Sequence, residues 1–188
     1  KAEHITADTD AVIYTIAVGE DNPELKKARS FNIPTISYPE ALGIVSEGMF
    51  TIAVSGTHGK TTTTAMVGKI LSDAGRSPTI IVGSFLTEEK TNFVEGTSDV
   101  LVAEACEYKR SFLHLNPNIL VITNIDNDHL DYYKDMTDIQ SAFNELACKV
   151  PKNGYVVTNP NDTSIIPALK NVQAKIIDYT KENSSDIS

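Results

Sequence analysis

No apolar run in this 188-residue sequence approaches the roughly 18 residues that a membrane helix requires. The first ten residues, KAEHITADTD, hold no initiator Met, no cationic stretch and no apolar stretch, so they read neither as a signal peptide nor as an ordinary natural beginning. We therefore expect a soluble fragment or processed piece with no membrane partner. Positive charge is also scarce. Against 25 Asp and Glu there are 16 Lys and Arg, a formal charge of −9, which disfavours nucleic acid or an anionic membrane as partner. Any phosphate site must then be a local cationic pocket. Cysteine is limited to Cys106 and Cys148, too far apart for a metal-type pair, which points to reduced thiols in a cytoplasmic setting. Each is expected to be a small buried apolar residue and not a nucleophile.

What is present is ordinary in amount and informative in order. Hydrophobic residues make up 41% and charged residues 22%, close to soluble averages, and the length allows a real core. The run AVIYTIAV, Ala11 to Val18, reads as a buried strand. Asn22 and Pro23 suit a helix cap and first turn, PTIS reads as a short strand, and a second helix is expected from about Tyr38 to Val45. From Phe50, FTIAV is a strand that ends in a glycine-rich turn, and apolar residues at helical spacing continue to Gly75. PTIIVG, DVLVAEA and NILVITN are further strands, with LTEEKTNFVEGTS between the first two as an exposed loop. A helix from about Asp138 to Cys148, a strand GYVVTN, a helix around Thr163 to Leu169 and a strand KIIDY follow, and KENSSDIS is expected to fray. This alternation predicts an α/β fold with an open, mostly parallel, doubly wound sheet.

Three stretches have chemical content. In SGTHGKTTTT, Gly56 and Gly59 let backbone amides turn toward an anion, Lys60 supplies positive charge and Thr61 a hydroxyl for a metal ion. All lie between a strand and a helix, whose N-terminus adds partial positive charge. The usual loop has its first glycine five residues before the second, but that position here is Val54, so this is a shortened variant. Phosphoryl transfer needs Mg²⁺, and the strand VLVA would bring Glu104 to the nucleotide side of the sheet, with Glu107 a turn later. The strand NILVIT delivers Asn124, Asp126, Asp128, His129 and Asp131 to the same edge. His129 is either a metal ligand or a solvated, hydrogen-bonded imidazole, while His4 and His114 take the latter reading. The chain has no Asp-x-x-Gly and no Asn-Lys-x-Asp, so guanine specificity is unsupported, and the protein-kinase signatures are absent.

GTHGKTTTTAM, EACEYKRSFLHL and TNIDNDHLDYY, in that order, resemble the Mur ligase family of peptidoglycan synthesis, in its alanine-adding branch. DNPELKKARSFNIPTISYPEAL resembles the end of that family's UDP-binding N-terminal domain. The resemblance implies two parts. Residues 1–48 would close a Rossmann-like UDP-binding domain, and residues 49–188 would form an incomplete central ATP-binding domain. It implies an enzyme that uses ATP and Mg²⁺ to phosphorylate the carboxylate of UDP-N-acetylmuramate, giving an acyl phosphate that the amine of L-alanine attacks. By motif position, Gly56, Thr57, His58, Gly59, Lys60, Thr61 and Thr62 would cradle the phosphates. Lys60 would contact the transferring group, Thr61 and Glu104 would hold the first Mg²⁺, and His129 the second. Lys60, Glu104 and His129 would be the catalytic set, with Asn124 lining the site.

The sequence departs from the family pattern at two places. Many relatives read Glu-Ala-Asp-Glu where this chain has Glu104-Ala105-Cys106-Glu107, so Cys106 is given no role. The stretch from Ile139 to Cys148 holds no Lys, and no carbamate is expected. The family's adenine and amino-acid contacts fall largely outside this chain, so the polypeptide alone is expected to be inactive as a ligase. Two rival readings remain: a muropeptide-recycling ligase that attaches a tripeptide to the same sugar nucleotide, and a nucleotide-binding module without ligase activity.

Overall fold

The computed structural model describes residues 1–86 and 91–181. A single 3-10 turn, Ala2–His4, precedes strand β1 (Val12–Tyr14), helix α1 (Pro23–Ser30), strand β2 (Thr35–Ser37) and helix α2 (Tyr38–Glu47). Local chemistry sets both helix starts. The Asn22 side chain accepts from the amides of Glu24 and Leu25 at 2.8 and 3.3 Å, with Pro23 in the first turn. Ser37 and Glu40 form a reciprocal capping box at the start of α2. β1 and β2 pair in parallel as a small separate sheet. The run Ala11 to Val18 is therefore not a buried strand. Only three of its residues are extended, and Ile13 is 59% exposed, because β2 offers a partner only three residues long.

The main body follows. It comprises β3 (Phe50–Ser55), α3 (Lys60–Asp73), β4 (Thr79–Leu86), β5 (Thr91–Val94), β6 (Val100–Glu104), β7 (Ile119–Ile122), α4 (Met136–Lys149), β8 (Tyr155–Thr158) and β9 (Lys175–Asp178). Two 3-10 segments, Tyr108–His114 and Ile166–Leu169, complete it. The strands form one seven-stranded sheet in the order β5-β4-β6-β3-β7-β8-β9, parallel except where β5 runs against β4. β5 occupies part of LTEEKTNFVEGTS, where the sequence predicts an exposed loop, and residues 87–90 of that stretch lie outside the described residues. The fraying expected of KENSSDIS falls on Lys181 and on 182–188, and 182–188 also lie outside the described residues.

The sheet is covered on both sides. Ala53, Leu101, Ala103, Leu120 and Ile122 share one core with Ile139, Phe143 and Leu146 of α4. Ile80 and Val82 form another with Ala65 of α3. Ile80 pairs with Val102, one residue out of step with Leu101 and Ala103, so by the alternation of strand side chains α3 and α4 sit on opposite faces. This is the doubly wound arrangement that the sequence predicts. β3 lies at its centre between β6 and β7, and the chain leaves β3 toward β4 on one side and returns to β7 on the other. Such a switch point leaves a crevice at the carboxyl ends of the strands. Ser55, Glu104 and Ile122 end their strands there, with Val54 level with Glu104 and Ser55 level with Ile122.

Candidate active site

The loop after β3 has a backbone that its residues alone permit. Gly56 has φ of +134°, and a Cβ at this position would lie 2.0 Å from the Thr123 hydroxyl oxygen. Gly59, at φ +82°, stands in the left-handed region as the residue that opens α3. The segment after β7 holds the loop's other face. The Thr57 amide donates to the Asn124 carbonyl at 3.1 Å. The Asn124 side chain accepts from the His58 amide at 2.9 Å and donates to the His58 carbonyl at 3.0 Å. The Asp126 amide donates to the Thr57 hydroxyl at 2.8 Å. Asn124 thus engages the loop backbone and gives it shape.

Among the described residues the other three α-helices begin with a side-chain cap, from Asn22, Ser37 and Asp135, whereas α3 begins at Gly59 with none. Its leading amides and the positive end of its dipole are directed into a polar cleft lined by Thr57, His58, Lys60, Thr61, Thr62 and Glu104. An uncapped N-terminus of this kind suits a phosphate. The Thr61 hydroxyl donates to Glu104 Oε2 at 2.8 Å, and the same oxygen accepts from the Gly83 amide at 2.7 Å. A hydroxyl and a carboxylate are the hard oxygen donors that Mg²⁺ takes, so this pair fits the ion. Among the described residues no group of three or more His, Cys, Asp and Glu stands ready to hold a metal.

The Lys60 ammonium is held by the protein itself. It donates to the Gly56 carbonyl at 2.7 Å, the Thr57 carbonyl at 3.1 Å and Glu107 Oε1 at 3.0 Å. Glu107, 3% exposed, also lies beside His129, whose Nε2 is 3.5 Å from the same Oε1. Glu107 Oε2 is 3.0 Å from the ammonium but out of line for a hydrogen bond, and it is buried with no hydrogen-bond partner among the described residues. The two segments that bear these groups, after β6 and after β7, are strained. Lys109, Arg110 and His129 have φ of +52°, +57° and +54°. Several contacts enforce the geometry. The Tyr133 hydroxyl donates to the Glu107 carbonyl at 2.5 Å, Arg110 pairs with Asp138 at 2.7 Å and Glu145 at 3.2 Å, and the Tyr108 ring centroid is 4.9 Å from that of His129. Burial pushes the Tyr133 hydroxyl well above its ordinary pKa, which keeps it a donor.

The structure thus gathers Lys60, Thr61, Glu104 and the glycines at one edge, and it links His129 to them through Glu107. The sequence singled out Glu107 only as an acid a turn beyond Glu104. The paired acids three apart in Glu-Ala-Cys-Glu were the available signal. Asp126 and Asp128 are exposed, and Asp131 accepts from the Tyr108 hydroxyl at 2.9 Å. The His58 ring is 70% exposed, 4.0 Å from Asp126. Both cysteines are exposed, contrary to the expectation of small buried residues. Cys106 lies where the chain leaves β6, beside a pocket wall that nevertheless desolvates its thiol and pushes its pKa up. Cys148 stands at the solvent-facing end of α4.

A glycine turn opening an uncapped helix at the centre of a parallel sheet places this chain among the phosphate-loop α/β proteins. A family model, the Mur ligase middle domain, matches residues 54–188. The chain is 45% identical over 184 residues to the UDP-N-acetylmuramate–L-alanine ligase of Caldicellulosiruptor saccharolyticus, spanning 97% of this chain and 40% of that relative's length. Among solved structures, it is similar to the UDP-N-acetylmuramate–alanine ligase of Thermotoga maritima, with TM-score 0.74 and 35% identity over 87% of this chain and 38% of that one. It is also similar to a UDP-N-acetylmuramate:L-alanyl-γ-D-glutamyl-meso-diaminopimelate ligase from Neisseria meningitides, with TM-score 0.77 and 27% identity over 87% of this chain and 57% of that one. The chain belongs to the Mur ligase family.

Proposed function

We propose that this chain supplies the ATP- and Mg²⁺-binding part of a cytoplasmic ligase that joins L-alanine to UDP-N-acetylmuramate in peptidoglycan synthesis. The observation that carries this reading is the Thr61–Glu104 pair at 2.8 Å, at the mouth of an uncapped helix N-terminus and beside Lys60. In this reading Gly56 to Thr62 cradle the phosphates, and Asn124 acts by holding the loop through His58. Residues 1–48 close a UDP-binding domain and residues 49–188 belong to the ATP-binding one. The separate β1–β2 sheet supports that division. Glu104 also lines an apolar pocket that reaches Tyr38 and Leu42, so one carboxylate borders both the phosphate cleft and a second cavity against the first 48 residues.

The chemistry has two displacements. A carboxylate oxygen of the sugar nucleotide attacks the γ-phosphorus of ATP, and the bond to ADP breaks. The alanine amine then attacks the acyl carbon, phosphate leaves with the bonding electrons, and the amine proton is lost. Mg²⁺, held by Thr61 and Glu104 with a second ion at His129, would supply charge neutralisation on the transferring group. Lys60 adds a fixed positive charge at the same place, and the α3 amides hold the phosphates in line. The complete gene product is expected to form ADP, phosphate and an amide with L-alanine. The likeness to the Neisseria ligase keeps a second reading, addition of a preformed tripeptide to the same sugar nucleotide. Side-by-side assays with the two amines decide between them, and product with the tripeptide alone would overturn the alanine reading.

A further inference from the structure

An ammonium has three protons to donate, and here the protein itself takes all three, at Gly56 O, Thr57 O and Glu107 Oε1. The first two acceptors are carbonyls of the loop, and keeping them preserves the loop's shape. The third is a nearly fully buried carboxylate that belongs to a different segment, 47 residues further along the chain. A phosphate entering the cleft can engage Lys60 only by taking that third proton. Glu107 is unusually placed to release it. Its other oxygen is buried without a hydrogen-bond partner among the described residues, and His129 stands 3.5 Å from Oε1 as the next cationic or proton-bearing group.

We propose that Glu107 is a positioning residue. It is the counter-ion that parks Lys60 in the nucleotide-free protein, and the terminal phosphate displaces it, leaving Glu107 to the His129 side of the site. Glu107 touches neither nucleotide nor acceptor and acts through Lys60. The inference rests on the nucleotide-binding reading above. Its physical content is a competition between two anions for one donor, in a place with little water to screen either. The resting pair keeps the loop zipped and neutral before phosphate arrives.

The test is ATP affinity without divalent metal, measured by calorimetry on the complete gene product. Glu107→Gln keeps the shape but removes the competing charge, and we expect it to bind ATP about tenfold more tightly, a difference of about 1.4 kcal/mol. Asp73→Asn removes an exposed charge at the far end of α3 that has no contact with Lys60, and it should change affinity less than twofold, which separates the latch from a general loss of negative charge. A folded Glu107→Gln protein, judged by its thermal melt, whose affinity is unchanged or weaker overturns the proposal. A nucleotide-bound crystal structure of the unmutated protein reads the same exchange should that variant fail to fold. Lys60 on the terminal phosphate with the Glu107 pair opened supports it, and a pair still at 3.0 Å contradicts it. If the unmutated protein binds no ATP at all, the nucleotide reading itself fails, a result distinct from failure of the latch.

Discussion

Lys60→Ala in the complete enzyme is expected to lower kcat by about a hundredfold to a thousandfold, the loss typical when a preorganised donor at a developing charge is removed. The structure adds a complication that the motif alone does not show. Lys60 neutralises a carboxylate that is only 3% exposed, so the Ala variant also strands Glu107, and removing one partner of a buried pair typically costs about 3 to 5 kcal/mol of stability. Low turnover from a half-unfolded sample would say nothing about catalysis. The double variant Lys60→Met with Glu107→Gln separates the two effects. It leaves no unpaired charge, so its melting temperature should return most of the way to that of the parent, while turnover stays as low as in Lys60→Ala. Recovery of both stability and turnover would show that Lys60 serves the fold and not the reaction.

The second large effect is expected at Glu104. Glu104→Gln keeps an oxygen for the Gly83 amide and the Thr61 hydroxyl, which now approach Oε2 at 2.7 and 2.8 Å, so the β6 end should hold its shape. What it loses is the charge. Turnover should fall about a hundredfold or more at fixed Mg²⁺, with the Mg²⁺ concentration for half-maximal rate rising at least about tenfold, since neutral amides are poor ligands for a hard dication. A rate loss with unchanged Mg²⁺ dependence would mean that Glu104 shapes the loop and does not ligate the ion. The two variants therefore report on different charges in one cleft: the Lys60 variant on the protein's own cation, the Glu104 variant on the metal.

Much of this site was legible because its parts are close in sequence or mark strand ends. Gly59-Lys60-Thr61 falls at a strand-to-helix junction, and an apolar strand followed by Glu104 fixes which edge of a parallel sheet that acid occupies. The order of alternating strands and helices sufficed for the fold class. What it missed depends on partners distant in sequence. The β-branched run from Ala11 to Val18 has strand propensity, but only a neighbouring strand of matching length turns propensity into pairing, and β2 is three residues long. β5 is not legible as a strand because Thr91–Val94 is short, set in a polar stretch and at the sheet edge, where pairing with β4 decides. The tie from Lys60 through Glu107 to His129 spans separations of 47 and 22 residues and rests on left-handed backbone at His129 that no residue type there announces. Solvent exposure of Cys106 and Cys148 likewise follows from where β6 and α4 end, not from the polarity of the thiol.

The cleft is expected to transfer the terminal phosphoryl group of ATP to a substrate carboxylate. The most direct measurement follows oxygen. UDP-N-acetylmuramate labelled with ¹⁸O in its carboxylate is turned over by the complete enzyme with ATP, Mg²⁺ and L-alanine, and the products are examined by mass spectrometry. Acyl-phosphate chemistry delivers one labelled oxygen to inorganic phosphate in each turnover and leaves the other in the amide, with ADP unlabelled. Label in AMP, or amide formed with phosphate free of label, would contradict it.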